Sequence, residues 1–264
     1  MKSGALSSLL LALLAAPAVA SAAPCQNEDF ATTVSGQDEC LLMRRYGSAA
    51  PDTMLVWLHG NVSTGGPANS HFRVAKKAAG DLEADHVLSV ALVRPGYPDG
   101  TGAHSSGSDN GRIDNWTQPV VAEIGKVIAR LRDRFHPKTV ILIGHSGGAA
   151  ISAALLGMAP DLAEAAILIG CPCDMQAWRL GRSTTPWRSE DPIRRVAEVP
   201  LHTRVIALTG SLDTTTAPSL AADYVARLRI RGVDAEFRLV PGAGHVDILG
   251  SPAITAAAAE LLRR

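Results

Sequence analysis

The stretch Gly144-His145-Ser146-Gly147-Gly148 constrains this chain more than any other. Thr139-Val140-Ile141-Leu142-Ile143 precedes it, a β-branched and aliphatic run that reads as a strand. A small-residue segment from Ala149 to Met158 follows and reads as a helix. Strand, then G-x-S-x-G, then helix is the setting of a nucleophile elbow. The serine sits on a strained turn, and only glycine allows the close backbone approach on either side. Such a turn lifts the Ser146 oxygen above the sheet edge and aims the Gly147 N–H at a developing oxyanion.

A serine hydroxyl is a poor nucleophile at neutral pH, so a base and a group that orients the base must lie elsewhere. Two later strand ends supply them. Val205 to Leu208 ends in Thr209-Gly210-Ser211-Leu212-Asp213, and Glu236 to Val240 ends in Pro241-Gly242-Ala243-Gly244-His245. The order Ser146, Asp213, His245 makes Ser146 the candidate nucleophile, His245 the general base and acid, and Asp213 the residue that orients the imidazole. Backbone N–H groups of Asn61 and Gly147 are the candidate oxyanion hole, although Asn61 also suits a left-handed turn position.

The remaining chain alternates strands and helices. Met54 to Leu58 and Val87 to Val93 are continuous apolar runs, as in strands buried on both faces. Asn69 to Leu82 and Asp114 to Phe135 have helical spacing, as do Ala217 to Ile230 and the segment after Pro252. Ala165 to Ile169 is a further strand, and Ala31 to Tyr46 reads as an edge hairpin. This alternation predicts an α/β fold, a mostly parallel sheet with helices on both faces. Ligands then bind beyond the carboxyl ends of the strands, where the Gly-rich loops converge. Asp174 to Pro200 breaks the pattern with two tryptophans and several arginines and reads as a short lid. Trp178 and Trp187 either line a pocket there or pin the lid. Arg179, Arg182 and Arg188 either bind a substrate carboxylate or form a solvated face.

The quoted strand ends together resemble the α/β-hydrolase superfamily over nearly the whole chain. They are His59-Gly60, Arg94-Pro95-Gly96-Tyr97, the Ser146 elbow, Gly210-Ser211-Leu212-Asp213 and Gly244-His245. From Asp191-Pro192 to His245 the chain resembles the prolyl-oligopeptidase-like and serine-aminopeptidase-like branch. Asp191 stands where that branch usually has Ser, Thr216 stands where Val is usual, and there is no room for a β-propeller. The resemblance implies a serine hydrolase and makes Asp174, after the sixth strand, a rival to Asp213 as the acid. His59 is then expected to hold the oxyanion loop by hydrogen bonds, and His145 to pack against the elbow.

The first residues read as a signal peptide: Lys2, an apolar core from Leu6 to Leu14, Pro17, then small residues. Cleavage after Ala22 satisfies A-x-A, with Ala20 as the alternative. This divides the chain into a leader at 1–22 and a single domain at 23–264 with a lid at 174–200. The apolar core is too short for a retained span, which predicts an exported protein, periplasmic or secreted. All four cysteines follow the leader, as in an oxidising compartment. In an open sheet the first hairpin lies several strands from Cys171. Cys25 is therefore expected to pair with Cys40, leaving Cys171 and Cys173 to pair with each other or stay reduced.

Formal net charge is zero, which argues against nucleic acid as a partner. No histidine has metal-ligand spacing, so no cofactor or metal is called for. The expected activity is cleavage of a carboxylic ester through an acyl-enzyme. A peptidase or amidase with the same residues is the alternative, with a short peptide in place of a small-molecule ester. A non-catalytic binding protein on the same fold is a third reading.

Overall fold

The computed structural model describes residues 25–180, 182 and 185–263. The leader expected at 1–22 lies outside them, as do lid residues 181, 183 and 184. One eight-stranded sheet organises the molecule, in the order β1-β2-β4-β3-β5-β6-β7-β8. The first two strands, β1 (Thr33–Ser35) and β2 (Cys40–Gly47), form the edge hairpin, and β2 runs antiparallel to β4. Thereafter β3 (Thr53–Leu58), β4 (Val87–Leu92), β5 (Thr139–His145), β6 (Ala165–Ile169), β7 (Arg204–Gly210) and β8 (Asp234–Val240) are parallel. Every residue of β3, β4 and β6 is buried, which is why these strands read as unbroken apolar runs rather than alternating ones.

Successive strand residues feed opposite layers. Met54, Val56, Leu58, Val140 and Leu142 pack under α2 (Gln118–Phe135), α3 (Gly147–Met158) and, further along, α5 (Pro218–Ile230). Leu55, Trp57, Ile141, Ile143 and Ile167 pack under α1 (Ser70–Asp81) and α6 (Ala253–Leu262). The apolar stripe of α2, Val121, Ile124, Val127, Ile128 and Leu131, is fully buried. Truncating one of these to Ala would cost about 2–5 kcal/mol.

One detail departs from the sequence reading. Helical spacing carries α2 back to Asp114, yet the helix starts at Gln118. The Asp114 carboxylate accepts hydrogen bonds from the N–H groups of Arg188 and Ser189 and from the Ser189 hydroxyl, and Thr117 bridges to Ser189. Residues 114–117 are therefore extended against the lid, and Pro119 sits in the first turn. Among the described residues of 174–200, the expected lid, there is one short helix, α4 (Met175–Arg179), and a 3-10 segment, Pro192–Glu198.

The hairpin is tied down twice. A disulfide joins Cys25 and Cys40, and the Glu123 carboxylate on α2 accepts from the N–H groups of Asp38 and Glu39. A second disulfide joins Cys171 and Cys173 in the turn after β6. No helix among the described residues is long and apolar enough to cross a membrane.

Candidate active site

Ser146 lies between β5 and α3 with φ 54° and ψ −120°, a left-handed conformation that a side chain adopts only when its surroundings impose it. The neighbouring glycines show what imposes it. A β-carbon on Gly144 would stand 2.3 Å from the Gly148 carbonyl, and one on Gly148 would stand 2.1 Å from that of Leu58. The Ser146 N–H donates to the Ile169 carbonyl at 2.8 Å, which fastens the turn to the end of β6.

The next residue of that strand end, Gly170, faces the acid and the base: a β-carbon there would lie 3.2 Å from both Asp213 Oδ2 and His245 Cε1. His245 Nδ1 donates to Asp213 Oδ2 at 2.7 Å. Asp213 is buried, and burial pushes its carboxyl pKa up. The Thr216 N–H, the His245 ring and the Thr216 hydroxyl outweigh that and hold it below the usual carboxylate range. Its Oδ1 accepts from the N–H groups of Thr215 and Thr216 at 2.9 and 2.8 Å. Ser146, Asp213 and His245, from three strand ends, thus share one rim of the sheet.

Asp174 does not join them. Its carboxylate accepts from the Ala177 N–H at 2.8 Å and caps α4. His145 does more than pack: its Nε2–H donates to the His245 carbonyl at 2.8 Å, with the rings 4.9 Å apart. Burial, then the neighbouring His245, lowers the His145 pKa to about 4, so this ring is neutral.

The loop after β3 faces the elbow. A β-carbon on Gly60 would lie 2.9 Å from that of Ser146. His59 is buried, and its Nε2 accepts from the Arg94 N–H at 2.9 Å, which puts the ring proton on Nδ1, directed at the Gly60 carbonyl 2.7 Å away. The Asn61 side chain is held from both ends: Oδ1 accepts from Arg94 Nη1 at 3.0 Å, and Nδ2 donates to the Arg112 carbonyl at 3.2 Å. Arg112 in turn donates to the carbonyls of Val62 and Gly66. A β-carbon on Gly147 would meet Asn61 Oδ1 at 2.5 Å and Trp116 at 3.0 Å, so the Asn61 side chain and Trp116 pack against the residue after Ser146.

Trp178 and Trp187 pin the lid. Trp178 Nε1 donates to the Thr215 carbonyl at 2.9 Å, and Trp187 meets Trp178 and Trp116 edge to face. Arg179 stacks on Trp187 and Arg182 on Trp178, while Arg188 lies 3.7 Å from Asp114. Asp191 accepts from the Met175 N–H at 3.0 Å, a bond that a serine hydroxyl could also make. Among the described residues no three His, Cys, Asp or Glu side chains are grouped to hold a metal ion. Sequence reasoning gave no role to Trp116, Arg112 or Arg94. The one visible signal was an arginine directly after a buried strand.

Comparison with solved structures places this arrangement among known folds. Est1E from Butyrivibrio proteoclasticus, solved with ferulic acid bound, is 14% identical with a TM-score of 0.66; the match covers 88% of this chain and 98% of Est1E. The esterase Pf2001 of Pyrococcus furiosus is 15% identical with a TM-score of 0.66, over 88% of this chain and 90% of that one. The proline iminopeptidase of Mycobacterium smegmatis is 16% identical with a TM-score of 0.64, over 87% and 96%. No curated protein matches the chain. Fold and site together define a member of the α/β-hydrolase superfamily. Residues 97–262, more than half of the chain, match the prolyl oligopeptidase family, and the chain belongs to that family.

Proposed function

We propose that this protein is an exported serine hydrolase that cleaves carboxylic esters through an acyl-enzyme. The observation that carries the reading is the 2.7 Å hydrogen bond from His245 Nδ1 to Asp213 Oδ2, beside a serine held at φ 54°. That bond leaves Nε2 of His245 as the proton acceptor. Ser146 Oγ attacks the ester carbonyl and gives its proton to Nε2, and Asp213 stabilises the imidazolium. The backbone N–H groups of Asn61 and Gly147 receive the oxyanion. On collapse, His245 protonates the departing alcohol, and the acyl group stays on Ser146 until water, deprotonated by the same imidazole, releases it. Two disulfides and the leader read from residues 1–22 support export.

Family membership favours a second reading, a peptidase. Against an aminopeptidase stands the state of four acids in and beside the lid. Asp174 caps α4, Asp191 binds the Met175 N–H, Glu190 pairs with Arg195 and Asp114 binds Ser189. Each is engaged inside the protein, whereas a free peptide N-terminus needs a carboxylate of its own. Labelling with a fluorophosphonate probe tests the nucleophile: the native protein is labelled at Ser146 and Ser146→Ala is not. Labelling that persists in Ser146→Ala overturns the assignment. A panel of esters and aminoacyl anilides separates the two readings.

A further inference from the structure

Arg94 follows β4 and is 1% exposed, yet among the described residues no Asp or Glu lies within ion-pair distance of it. Its guanidinium instead meets neutral groups. Nη1 donates to the His59 carbonyl at 3.1 Å and to Asn61 Oδ1 at 3.0 Å, and Nη2 donates to Asn115 Oδ1 at 2.5 Å. Its face lies 5.3 Å from the centre of the Tyr97 ring, whose hydroxyl accepts from Asn115 Nδ2 at 2.6 Å. Nε is buried without a partner. An arginine keeps its proton in a protein, so this is a buried positive charge with no carboxylate in direct contact, an arrangement that burial alone disfavours.

The position of the charge is informative. A β-carbon on Gly147 would lie 3.2 Å from Nη1. The guanidinium therefore sits directly behind the first residue of α3 and behind the Asn61 loop. Those are the two backbone segments that, on the serine-hydrolase reading above, donate to the oxyanion. We infer that Arg94 is the positioning residue of the oxyanion hole, fixing residues 59–61 and placing an unpaired positive charge behind the developing oxyanion.

The two parts act together. Arg94 binds the loop at three points: its own N–H to the His59 ring, and Nη1 to the His59 carbonyl and the Asn61 side chain. With the Asn61 side chain tied inward, the group that residue 61 offers a ligand is its backbone N–H. No carboxylate touches the charge, and Asp109, whose charge reaches it, is already paired with Arg112, so the field of Arg94 extends to the carbonyl oxygen of the ester that Ser146 attacks. A ground-state ester is neutral and gains little from that field, whereas the tetrahedral intermediate carries a full negative charge. The effect therefore falls on kcat and leaves KM nearly unchanged.

The test uses the full-length mature protein and a soluble 4-nitrophenyl ester. Loss of one oxyanion donor typically costs about 10²–10³ in kcat, and Arg94→Met is expected in that range with KM changed less than about threefold. Arg94→Lys keeps the charge but not the fork, and is expected to retain more activity, about tenfold below the native protein. An aryl trifluoromethyl ketone, which forms an anionic adduct with Ser146, loses affinity in parallel with kcat, while the neutral alcohol product does not. A purely structural role would lower the melting temperature without this split. Should Arg94→Met fail to melt cooperatively, Arg94→Lys decides the matter by the same two readouts. If the native protein is labelled by fluorophosphonate and turns over ester, but Arg94→Lys and any folded Arg94→Met keep kcat within about threefold, the inference is overturned. If the native protein is not labelled at all, the hydrolase reading itself has failed.

Discussion

Thr216 Oγ1 lies 2.8 Å from Asp213 Oδ2, and the same oxygen lies 3.1 Å from His245 Nδ1. Its single proton goes to Asp213 or to the Gly170 carbonyl 3.0 Å away, and its lone pairs face the imidazole N–H. The Asp213 carboxylate thereby gains an O–H partner on the oxygen that receives His245, and its charge is supported where it is buried. The branch that this chain resembles usually has Val here. Thr216→Val keeps the backbone N–H to Oδ1 and removes only the hydroxyl. One such hydrogen bond is worth about 1 kcal/mol, so kcat/KM is expected to fall by less than about tenfold. Asp213→Asn should lower kcat about 10³–10⁴-fold, because the imidazole loses both its orientation and its counter-charge. Asp174→Asn should change it less than about threefold, since that side chain only caps α4. Steady-state kinetics on one ester checks the ranking, and a larger loss from Asp174→Asn would move the acid to the turn after β6.

The parts of this molecule that were legible in the sequence are those set by local rules. Continuous apolar runs locate β3, β4 and β6 because both faces of a parallel sheet are covered. The glycines of the elbow locate Ser146 because no side chain fits at 144 against Gly148 or at 148 against Leu58. The disulfide pairing expected from the spacing across an open sheet is the pairing found. What was not legible depends on partners distant in sequence. Asp114 looks like a helix start until Arg188 and Ser189 claim its carboxylate. Arg94 looks like an ordinary charged residue at a strand end. Its burial is decided by Asn61 from the loop after β3 and by Asn115 from the far end of its own long loop, with Tyr97 beside it.

The two disulfides should differ in their effect on stability. Cross-linking restricts the unfolded chain more when the closed loop is longer. Cys25 and Cys40 are 15 residues apart and Cys171 and Cys173 only 2. Replacing the first pair with Ala should cost about 3 kcal/mol, and the second about half as much. Urea unfolding of each double variant checks this, and an equal or reversed loss would show that native-state packing around Cys171 outweighs chain entropy.

Acid should weaken the fold before the carboxylates titrate. His59 and His71 are each 2% exposed. Burial, then the charge of Arg94, holds the His59 pKa well below the usual value, and burial lowers that of His71 to about 4. In the unfolded chain both return to about 6.5. The folded pKa values are depressed, so the stabilisation is present above about pH 6.5 and is lost as pH falls through the folded values. The loss is at most about 1.4 kcal/mol per pH unit for each ring. Asp213 adds nothing in that window, because its carboxyl lies below the usual range and stays ionised down to more acidic pH. Urea midpoints measured from pH 7 to pH 4.5 should fall steadily, and His71→Phe should flatten the slope by one proton. A midpoint independent of pH over that range contradicts the assignment of neutral buried rings.

Substrate size follows from how little the lid can enclose. Among its described residues the regular structure is one helix of five residues and a 3-10 segment of seven. Trp178 holds it to the Thr215 carbonyl. Ser146 and His245 remain partly exposed, and the apolar residues on the surrounding loops, Ile113, Leu180, Leu212 and Val246, point largely to solvent, each at least 65% exposed. An acyl chain therefore finds apolar surface only near the reacting carbonyl. Each methylene buried there is worth about 0.8 kcal/mol, roughly fourfold in kcat/KM, and each one beyond the contact surface gains almost nothing. Along a series of 4-nitrophenyl esters, kcat/KM should rise from acetate to about butyrate and then level or fall by octanoate. Amide cleavage further demands firm protonation of a poor leaving group by His245 and an anchored amine, for which Asp174, Asp191 and Glu190 are already engaged. Aminoacyl anilides should be cleaved at least about a hundredfold more slowly than the best ester. A preference for anilides would make the peptidase reading the correct one, and a rise continuing through long acyl chains would require an enclosed tunnel that this lid does not build.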